Sequence, residues 1–239
     1  MKLVKYFFEF IIIITFFFIF KIIGYKNSSN FGRLIGKKIG PFFRSKTKIQ
    51  ENLRKSNIGN SDKERETIIE NMWGNYGRIL SEYVFLKKFR KNNLNNFLEI
   101  EGSQVLNQIN VNNEQVVFIS GHFNNFELMA MAIEKSGINL CAIYRPLNNP
   151  FLNIIMEKIR KNYICKKQIK KGKSGTRDLI DLIKKKYSVA LMIDQRVSEG
   201  DTINFFNRPA KTTTIPAQLV KKYQCKIVPV YIQRIKKHN

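Results

Sequence analysis

An apolar stretch at the amino terminus constrains this chain more than any other feature. Residues 6–20 read YFFEFIIIITFFFIF and are broken only by Glu9. A membrane-spanning helix needs about 20 apolar residues, a length reached if Lys5 and Lys21 extend their charged ends to the two interfaces. The stretch also lacks the polar face of a helix at the surface of a soluble domain. It therefore indicates a helix in contact with lipid.

A cleaved signal peptide is the alternative, because Lys2 and Lys5 resemble the basic start of such a leader. The residues that follow, 21–30 (KIIGYKNSSN), contain no small-x-small cleavage pattern. We therefore predict a single membrane anchor with its flank over residues 1–26. Cations are abundant directly after the stretch, which places the body of the protein on the cytoplasmic side.

The chain is strongly basic, with 42 Lys and Arg against 18 Asp and Glu and a net charge of +24. Its apolar share of 44% excludes a disordered polycation. A basic surface suits nucleic acid, anionic lipid or an acidic carrier protein, and composition does not choose among these partners. The alternative is that the positive charge reflects a composition rich in lysine and that this surface binds no partner.

The chain has three cysteines, Cys141, Cys165 and Cys225, an odd number without the spacing of metal ligands. This pattern indicates a reducing compartment and argues against a disulfide scaffold or a zinc site.

Residues 27–98 are predicted to form a basic interfacial and helical segment. Residues 31–43 (FGRLIGKKIGPFF) mix apolar residues, glycines and cations, as in a segment beside a bilayer, and a loop with a short surface helix is the alternative. Ser61 and Glu64 form a capping box, and apolar residues recur after them at helical spacing. A helix is therefore predicted to begin at Ser61.

Strands and helices alternate over residues 99–239. The predicted strands are 116–120, 138–144, 189–193 and 227–232; the predicted helices are 125–136, 150–162, 174–186 and 213–223, with a lysine-rich link before the third helix. This alternation predicts an α/β domain with a largely parallel sheet flanked by helices. In such sheets the functional groups lie on loops just beyond the carboxyl ends of the strands.

The loop after the first predicted strand carries the strongest candidate for chemistry. His122 lies in residues 120–127 (SGHFNNFE), and imidazole can accept a proton near neutral pH, so His122 is a candidate general base. Glu127 follows at the start of the predicted helix and is expected to accept a hydrogen bond from the imidazole. A histidine that caps the helix beside a solvated glutamate is the alternative. The other histidine, His238, lies near the end of the chain.

Two further predicted strands also end in polar residues. Arg145, in residues 144–150 (YRPLNNP), suits phosphate binding or polarisation of a carbonyl, with an arginine paired at a turn as the alternative. Asp194 and Gln195 follow the strand 189–193. Three strand ends thus deliver polar groups, which favours a site over a chance arrangement.

Four segments together resemble a family of membrane-bound enzymes. They are SGHFNNFE (120–127), YRPLNNP (144–150), the Asp-Gln pair of LMIDQR (191–196) and FFNRPAKTTTIPAQLV (205–220). In this order they resemble the late acyltransferases of lipid A biosynthesis, the lauroyl- and myristoyltransferase group, over most of residues 35–234. Relatives usually continue past the last predicted strand, so the resemblance implies a carboxyl-terminally shortened acyltransferase domain.

The resemblance implies transfer of a fatty acyl chain from acyl carrier protein to a hydroxyl of a Kdo-bearing lipid A precursor, at the cytoplasmic face of the inner membrane. His122, supported by Glu127, would be the general base, with no cofactor, no metal and no cysteine nucleophile. Arg145 would bind a phosphate or the developing oxyanion, helped by backbone N–H groups near Asn124 and Asn125.

The resemblance also suggests where the substrates bind. Phe205 and Phe206 would line an acyl tunnel, with core packing as the alternative, and Arg208 or Lys211 would contact the lipid headgroup. The lysines of residues 166–173 (KKQIKKGK) would contact the carrier protein, phosphates or anionic lipid, with a solvated loop as the alternative. Asp194 and Gln195 complete the candidate substrate contacts.

Two other functions stay open on the sequence alone. The same pairing of a histidine with an acid five residues later serves acyltransferases that act on glycerolipids or glycolipids. A non-catalytic, membrane-tethered basic protein is the other alternative. The anchor and the resemblance argue against nucleic acid as the partner, and the sequence does not indicate the oligomeric state.

Overall fold

The computed structural model describes residues 2–92 and 96–235, with the side chains of Lys173 and Ser174 not described. His238 and the side chain of Lys173 therefore lie outside the described residues. The protein is α/β, as predicted, with an apolar helix at its amino terminus and a parallel sheet.

The amino-terminal part of the chain is helical. It contains α1 (Lys2–Ile23), α2 (Tyr25–Ile39), a 3₁₀ turn (Gly40–Phe43), α3 (Lys46–Lys55) and α4 (Asp62–Glu82), followed by a second 3₁₀ turn (Tyr83–Phe85). Within the described residues, α1 is the one helix long and apolar enough to cross a membrane, by length and composition. Most of its side chains are exposed, as expected of a helix that contacts lipid.

One compact unit comprises Ile13–Phe85, Thr202–Ala210 and Arg234–Asn239. In it α2 lies directly against α4, and glycines permit this close approach: a Cβ atom added at Gly77 would overlap the carbonyl oxygen of Gly32. Ser61 caps α4 as predicted, since its hydroxyl accepts a hydrogen bond from the Glu64 N–H at 3.1 Å. The Glu64 carboxylate accepts from the N–H of Asn60 at 2.7 Å, one residue before the Ser61 N–H that a complete capping box would use.

The other compact unit holds the sheet and comprises Met1–Ile12, Leu86–Asp201 and Lys211–Gln233. Its elements are α5 (Leu86–Lys91), α6 (Ser103–Val111), β1 (Val116–Ser120), α7 (Glu127–Lys135), β2 (Leu140–Tyr144), α8 (Pro150–Tyr163), β3 (Lys167–Lys170), α9 (Lys173–Lys184), β4 (Ser188–Met192), α10 (Ile215–Tyr223) and β7 (Lys226–Pro229). Between β4 and α10, β5 (Asp201–Phe205) and β6 (Arg208–Thr212) form a separate two-stranded sheet.

The main sheet has the strand order β3-β2-β4-β1-β7, and every neighbouring pair is parallel. The interior strand β1 is buried along nearly its whole length, which is typical of a parallel strand covered on both faces. Val117, Val189 and Leu191 form a core cluster with Leu179 and Ile183 of α9 on one face of the sheet. Helices therefore flank the sheet, as the alternating pattern predicted.

Three strands were not predicted. β3 occupies part of the segment predicted as a lysine-rich link. It was missed because only Ile169 of its four residues is fully buried, so its sequence shows no apolar pattern. Short, lysine-rich strands are typical of sheet edges, where they discourage pairing with other chains. The other two, β5 and β6, are five residues each and consist mainly of exposed residues, so neither has the buried apolar run by which the other strands were predicted.

Candidate functional site

The register of the sheet brings His122 and Asp194 together. Neighbouring strands β1 and β4 end with Ser120 beside Met192. Their pairing continues one step further, where the N–H of Ile193 donates to the carbonyl of Ser120 at 2.9 Å. In a parallel pair, residues two positions beyond each of these ends lie side by side. These residues are His122 and Asp194.

Asp194 contacts His122 at two points. Its Oδ1 lies 2.8 Å from Nδ1 of the imidazole, and its Oδ2 accepts the backbone N–H of His122 at 2.8 Å. An ionised carboxylate can only accept, so the proton of this contact belongs to Nδ1, and in the neutral imidazole the lone pair is on Nε2. The side chain of His122 remains 24% exposed, so a substrate can reach it. The pair is therefore arranged to take up a proton at Nε2.

Gly121 leaves room for the Asp194 carboxylate, and Phe126 packs against the imidazole. A Cβ atom added at Gly121 would lie 3.3 Å from Cγ of Asp194 and 3.0 Å from the ring of Phe123, so a side chain there would crowd the carboxylate. Phe126 packs edge-on against the imidazole with ring centroids 4.8 Å apart. The imidazole is therefore held by a carboxylate on one side and an aromatic ring on another.

Gln195 lies beside the open nitrogen of His122. Its Nε2 is 3.5 Å from Nε2 of the imidazole, which is longer than a normal hydrogen bond. The amide is thus near the reacting position without occupying the lone pair. This location is compatible with the predicted role of Gln195 in substrate binding.

The predicted hydrogen bond between Glu127 and His122 is wrong. Glu127 Oε1 instead accepts from Nε of Arg160 at 2.9 Å and from Nη2 at 2.6 Å, and the two side chains are only 8% and 13% exposed. Glu127 begins α7, and its carboxylate lies against α8, which carries Arg160. The register of β1 and β4 places Asp194, and not Glu127, beside the imidazole.

The sequence did not indicate the role of Arg160. Besides binding Glu127, its guanidinium lies over the ring of Tyr144, 5.6 Å from the centroid. Burial and the neighbouring carboxylate of Glu157 raise the pKa of Tyr144. Glu157 itself accepts from Asn153 at 2.8 Å and pairs with Lys170 at 3.1 Å.

Arg145 and Asn125 both lie between His122 and Asp194 in the chain but differ in environment. Arg145 follows β2 directly and is exposed, with no hydrogen bond or ion pair to the described residues. The predicted pairing at a turn is therefore not seen, and its guanidinium is accessible to a ligand. Asn125 is only 4% exposed, and its carbonyl accepts from the N–H of Leu128 at 3.1 Å in the first turn of α7.

Arg208 belongs to the other compact unit, together with the two phenylalanines of the predicted acyl tunnel. Nε of Arg208 donates to the carbonyl of Lys55 at 3.0 Å. Phe205 and Phe206 stack edge to face with centroids 4.7 Å apart, and they are 61% and 52% exposed. The alternative that these rings pack in the core is therefore wrong.

Acidic neighbours balance part of the lysine-rich segment. Lys170 pairs with Glu157, while Lys166 and Lys167 line a shallow groove that also contains Asp178 and Asp181. Across the described ranges, no group of three or more His, Cys, Asp or Glu side chains could hold a metal ion.

Asn149 connects the carboxyl edge of the sheet to α1. Its Oδ1 accepts from the N–H groups of Phe151 and Leu152 at 3.1 and 3.3 Å, which caps α8. Its Nδ2 donates to the carbonyl of Tyr6 at 2.8 Å, and Phe151 packs edge-on against Phe7 with centroids 5.8 Å apart. The first turns of the apolar helix therefore lie at the loop that follows β2, at the same sheet edge as His122.

Comparison with known proteins identifies the family. Residues 1–239 match the family model described as bacterial lipid A biosynthesis acyltransferase. A lipid A biosynthesis acyltransferase 2 of Shigella flexneri is 23% identical over 184 residues, which cover 74% of this chain and 57% of the relative. A lipid A biosynthesis myristoyltransferase of Escherichia coli (strain K12) is 20% identical over 173 residues, 72% of this chain and 53% of the relative.

The chain spans about half the length of the curated relatives it matches. The family model nevertheless covers the whole sequence, and the segments around His122 and Asp194 lie within it. This protein therefore belongs to the bacterial lipid A biosynthesis acyltransferase family.

Proposed function

We propose that this chain transfers a fatty acyl group from a thioester on acyl carrier protein to a hydroxyl of a Kdo-bearing lipid A precursor. The two-point contact between Asp194 and His122 is the observation that supports it most. Removal of its proton makes a hydroxyl a stronger nucleophile towards a thioester, and an imidazole held in one tautomer with Nε2 open is suited to that step. The family of the chain supports the class of acceptor.

In the proposed reaction, the hydroxyl oxygen attacks the thioester carbonyl carbon while His122 Nε2 takes the hydroxyl proton. Asp194 stabilises the imidazolium that forms. When the tetrahedral species collapses, the carbon–sulfur bond breaks and the imidazolium returns the proton to the departing sulfur. The products are an ester and a free carrier thiol, so no acyl-enzyme and no cysteine nucleophile are needed.

Glu127 and Arg145 would support this reaction in different ways. Glu127 holds the first turn of α7 by its ion pair with Arg160, and that turn follows the His122 loop. Glu127 is therefore a positioning residue. Arg145, exposed at the end of β2, would bind a phosphate of the acceptor or the developing oxyanion.

The membrane location follows from α1 in the same proposal. We place the chain in the inner membrane with the sheet on the cytoplasmic side, since cations follow the apolar stretch and acyl carrier protein is an acidic cytoplasmic donor. The contact of Asn149 with Tyr6 keeps the start of α1 at the sheet edge that carries His122. Anionic lipid would bind the surrounding lysines.

Membranes that contain the full chain provide the test. They are incubated with acyl carrier protein thioester and a tetra-acylated lipid A precursor that either bears or lacks Kdo. The masses of the lipid products are measured by mass spectrometry. We expect the Kdo-bearing precursor to gain one acyl chain and the carrier thiol to be released. His122→Ala abolishes both, whereas His238→Ala, the matched control at the other histidine, retains them.

Other outcomes identify the alternatives. Acylation of a glycerolipid or glycolipid alone would show that the acceptor is wrong while His122 chemistry stands. Unchanged function in His122→Ala, with binding that weakens steeply with salt, would indicate a non-catalytic basic protein.

A further inference from the structure

Three arginines in the compact unit that contains α2 and α4 carry more positive charge than the one carboxylate near them, that of Glu82, neutralises. Arg33 lies on α2, Arg78 on α4 and Arg234 in the segment after β7, and the buried carboxylate among them is Glu82, 2% exposed. Three guanidinium charges against one carboxylate leave 3 − 1 = +2. We call Arg33, Arg78, Arg234 and Glu82 the arginine cluster.

The contacts within the arginine cluster show which charge is compensated. Arg234 binds both carboxylate oxygens of Glu82, through Nη1 at 2.9 Å and Nη2 at 3.2 Å. The hydroxyl of Ser29 donates to Glu82 Oε1 at 2.7 Å and accepts from Nη1 of Arg78 at 2.8 Å. Arg78 thus reaches the carboxylate through the Ser29 hydroxyl, and Arg33 makes no ion pair among the described residues.

The sequence of the two helices explains why Arg33 lacks a carboxylate. Neighbouring positions repeat every four residues along both helices: Ser29, Arg33 and Lys37 on α2, and Glu70, Gly74, Arg78 and Glu82 on α4. At one end Lys37 pairs with Glu70 at 3.2 Å, and at the other Ser29 bonds to Glu82. Between them Arg33 lies across Gly74, where an added Cβ atom would be 3.0 Å from Cγ of Arg33. The position opposite Arg33 therefore has no side chain.

This arrangement is unfavourable as it stands. Arg33 and Arg234 each hold an Nε atom that is shielded from solvent and has no hydrogen-bond acceptor among the described residues. Burial, and the charges of Arg234 and Arg33, lower the pKa of Arg78. A desolvated cation without a partner costs free energy, and like charges close together add to that cost. The side chain of Arg234 is still 28% exposed, so an anion can reach the cluster from solvent.

We propose that Arg33, Arg78 and Arg234 form a binding site for a phosphate group. Guanidinium groups bind phosphate oxygens in a bidentate fork, and a doubly charged phosphate monoester matches the excess of two positive charges. The phosphate can be the headgroup of a membrane lipid or a free ion, and the chemistry is the same in both cases. This inference is independent of the acyl transfer proposed at His122.

Binding measurements on the full chain in detergent test the site. One arm titrates inorganic phosphate by calorimetry. The other measures association with phosphatidylcholine vesicles that contain or lack phosphatidic acid, whose headgroup is a phosphate monoester. The variant is Arg33→Gln, and the matched control is Lys37→Gln, one turn along α2, whose partner Glu70 is already present.

We expect saturable binding in at least one arm, weakened about tenfold by Arg33→Gln and less than about twofold by Lys37→Gln. Binding of inorganic phosphate assigns the site to a free ion as well, and binding of phosphatidic acid vesicles alone assigns it to a lipid headgroup. If Arg33→Gln lowers the folded fraction by circular dichroism, Arg33→Lys replaces it. This variant keeps the aliphatic stem across Gly74 but loses the fork, and it should weaken binding several-fold.

Two results would overturn the proposal. One is the absence of saturable binding in both arms. The other is equal weakening by the substitutions at Arg33 and Lys37, which would show a general effect of positive charge.

Discussion

The imidazole of His122 is fixed by a single carboxylate, that of Asp194, which lies 2.8 Å from Nδ1 and accepts the backbone N–H of the same histidine at 2.8 Å. Both contacts arise because β1 and β4 are parallel neighbours that end in register. The carboxylate therefore sets the ring orientation and the tautomer together. The other ring nitrogen of His122, Nε2, is the atom at which we expect proton transfer.

Asp194→Asn should lower the rate of acyl transfer by about two to four orders of magnitude, with little change in KM. An amide at this position presents both a donor and an acceptor to Nδ1, so the tautomer with a free Nε2 is no longer enforced and the imidazolium loses its counter-charge. Initial rates over a range of pH measure the effect. Asp178→Asn, the same change at an exposed position on α9, should leave the rate unaltered.

A full rate in Asp194→Asn would contradict this assignment. Together with a rate lost in Glu127→Gln at unchanged stability, it would return the orienting role to Glu127.

Glu127→Gln should mainly destabilise the fold. The side chains of Glu127 and Arg160 are 8% and 13% exposed, and removal of one charge from a buried pair leaves the other uncompensated. Because glutamine can still accept from Arg160, we expect a loss of about 2–3 kcal/mol in the free energy of unfolding, near the lower end for broken buried pairs. Denaturant titration measures it, with Glu101→Gln, an exposed glutamate, as the control.

A double variant separates the ion pair from other effects. Arg160→Gln combined with Glu127→Gln removes both charges, so it should recover part of the stability lost by the single change. The pH dependence of the residual activity in Glu127→Gln should match that of the unaltered chain. A shifted pH profile would contradict a purely positioning role.

Much of the fold followed from the sequence because the relevant patterns are local. Buried strands such as 116–120 are continuous apolar runs, and the helix start at Ser61 is marked by a four-residue signal, so both were predicted and both are present. The strand β3 was missed because a lysine-rich edge strand carries almost no apolar pattern. Local patterns thus identify elements with a buried face and miss those without one.

The site was predicted in part, for a reason that is not local. His122, Asp194 and Gln195 were all identified as polar residues at strand ends, and the structure brings them together. Their partnership depends on strand order: β4 lies next to β1, although it comes much later in the chain. Sequence spacing favoured Glu127, five residues from His122, since the pairing of distant strands cannot be read from spacing alone.

The three cysteines should be unreactive in the folded chain. All are buried; burial raises the pKa of Cys141 and of Cys165 to about 12, and burial also raises the pKa of Cys225. A raised pKa keeps a thiol neutral, so at pH 8 only about one part in ten thousand of Cys141 or Cys165 would be thiolate, the form that alkylating reagents attack.

Mass spectrometry after iodoacetamide treatment checks this expectation. The native chain should stay unmodified at Cys141 and Cys165 and keep its acyl transfer activity, whereas the denatured chain, as the control, should be alkylated at all three cysteines. Rapid alkylation of the native chain with loss of activity would instead indicate a cysteine in the reaction.

Gly77→Ala should destabilise the contact between α2 and α4. Alanine gains about 1 kcal/mol over glycine in helix propensity. The added Cβ atom, however, would overlap the carbonyl oxygen of Gly32, which is backbone and cannot rotate away. Overpacking of this kind costs about 1–3 kcal/mol, and contact with backbone places it toward the upper end, so the loss exceeds the gain.

Thermal unfolding of the detergent-solubilised chain, followed by circular dichroism, measures this balance. Asn71→Ala serves as the control, because Asn71 is exposed on the same helix and the change there adds helix propensity without a clash. We expect a lower midpoint for Gly77→Ala and an equal or higher one for Asn71→Ala. A raised midpoint in Gly77→Ala would mean that propensity outweighs the overlap, and that the two helices can separate slightly at little cost.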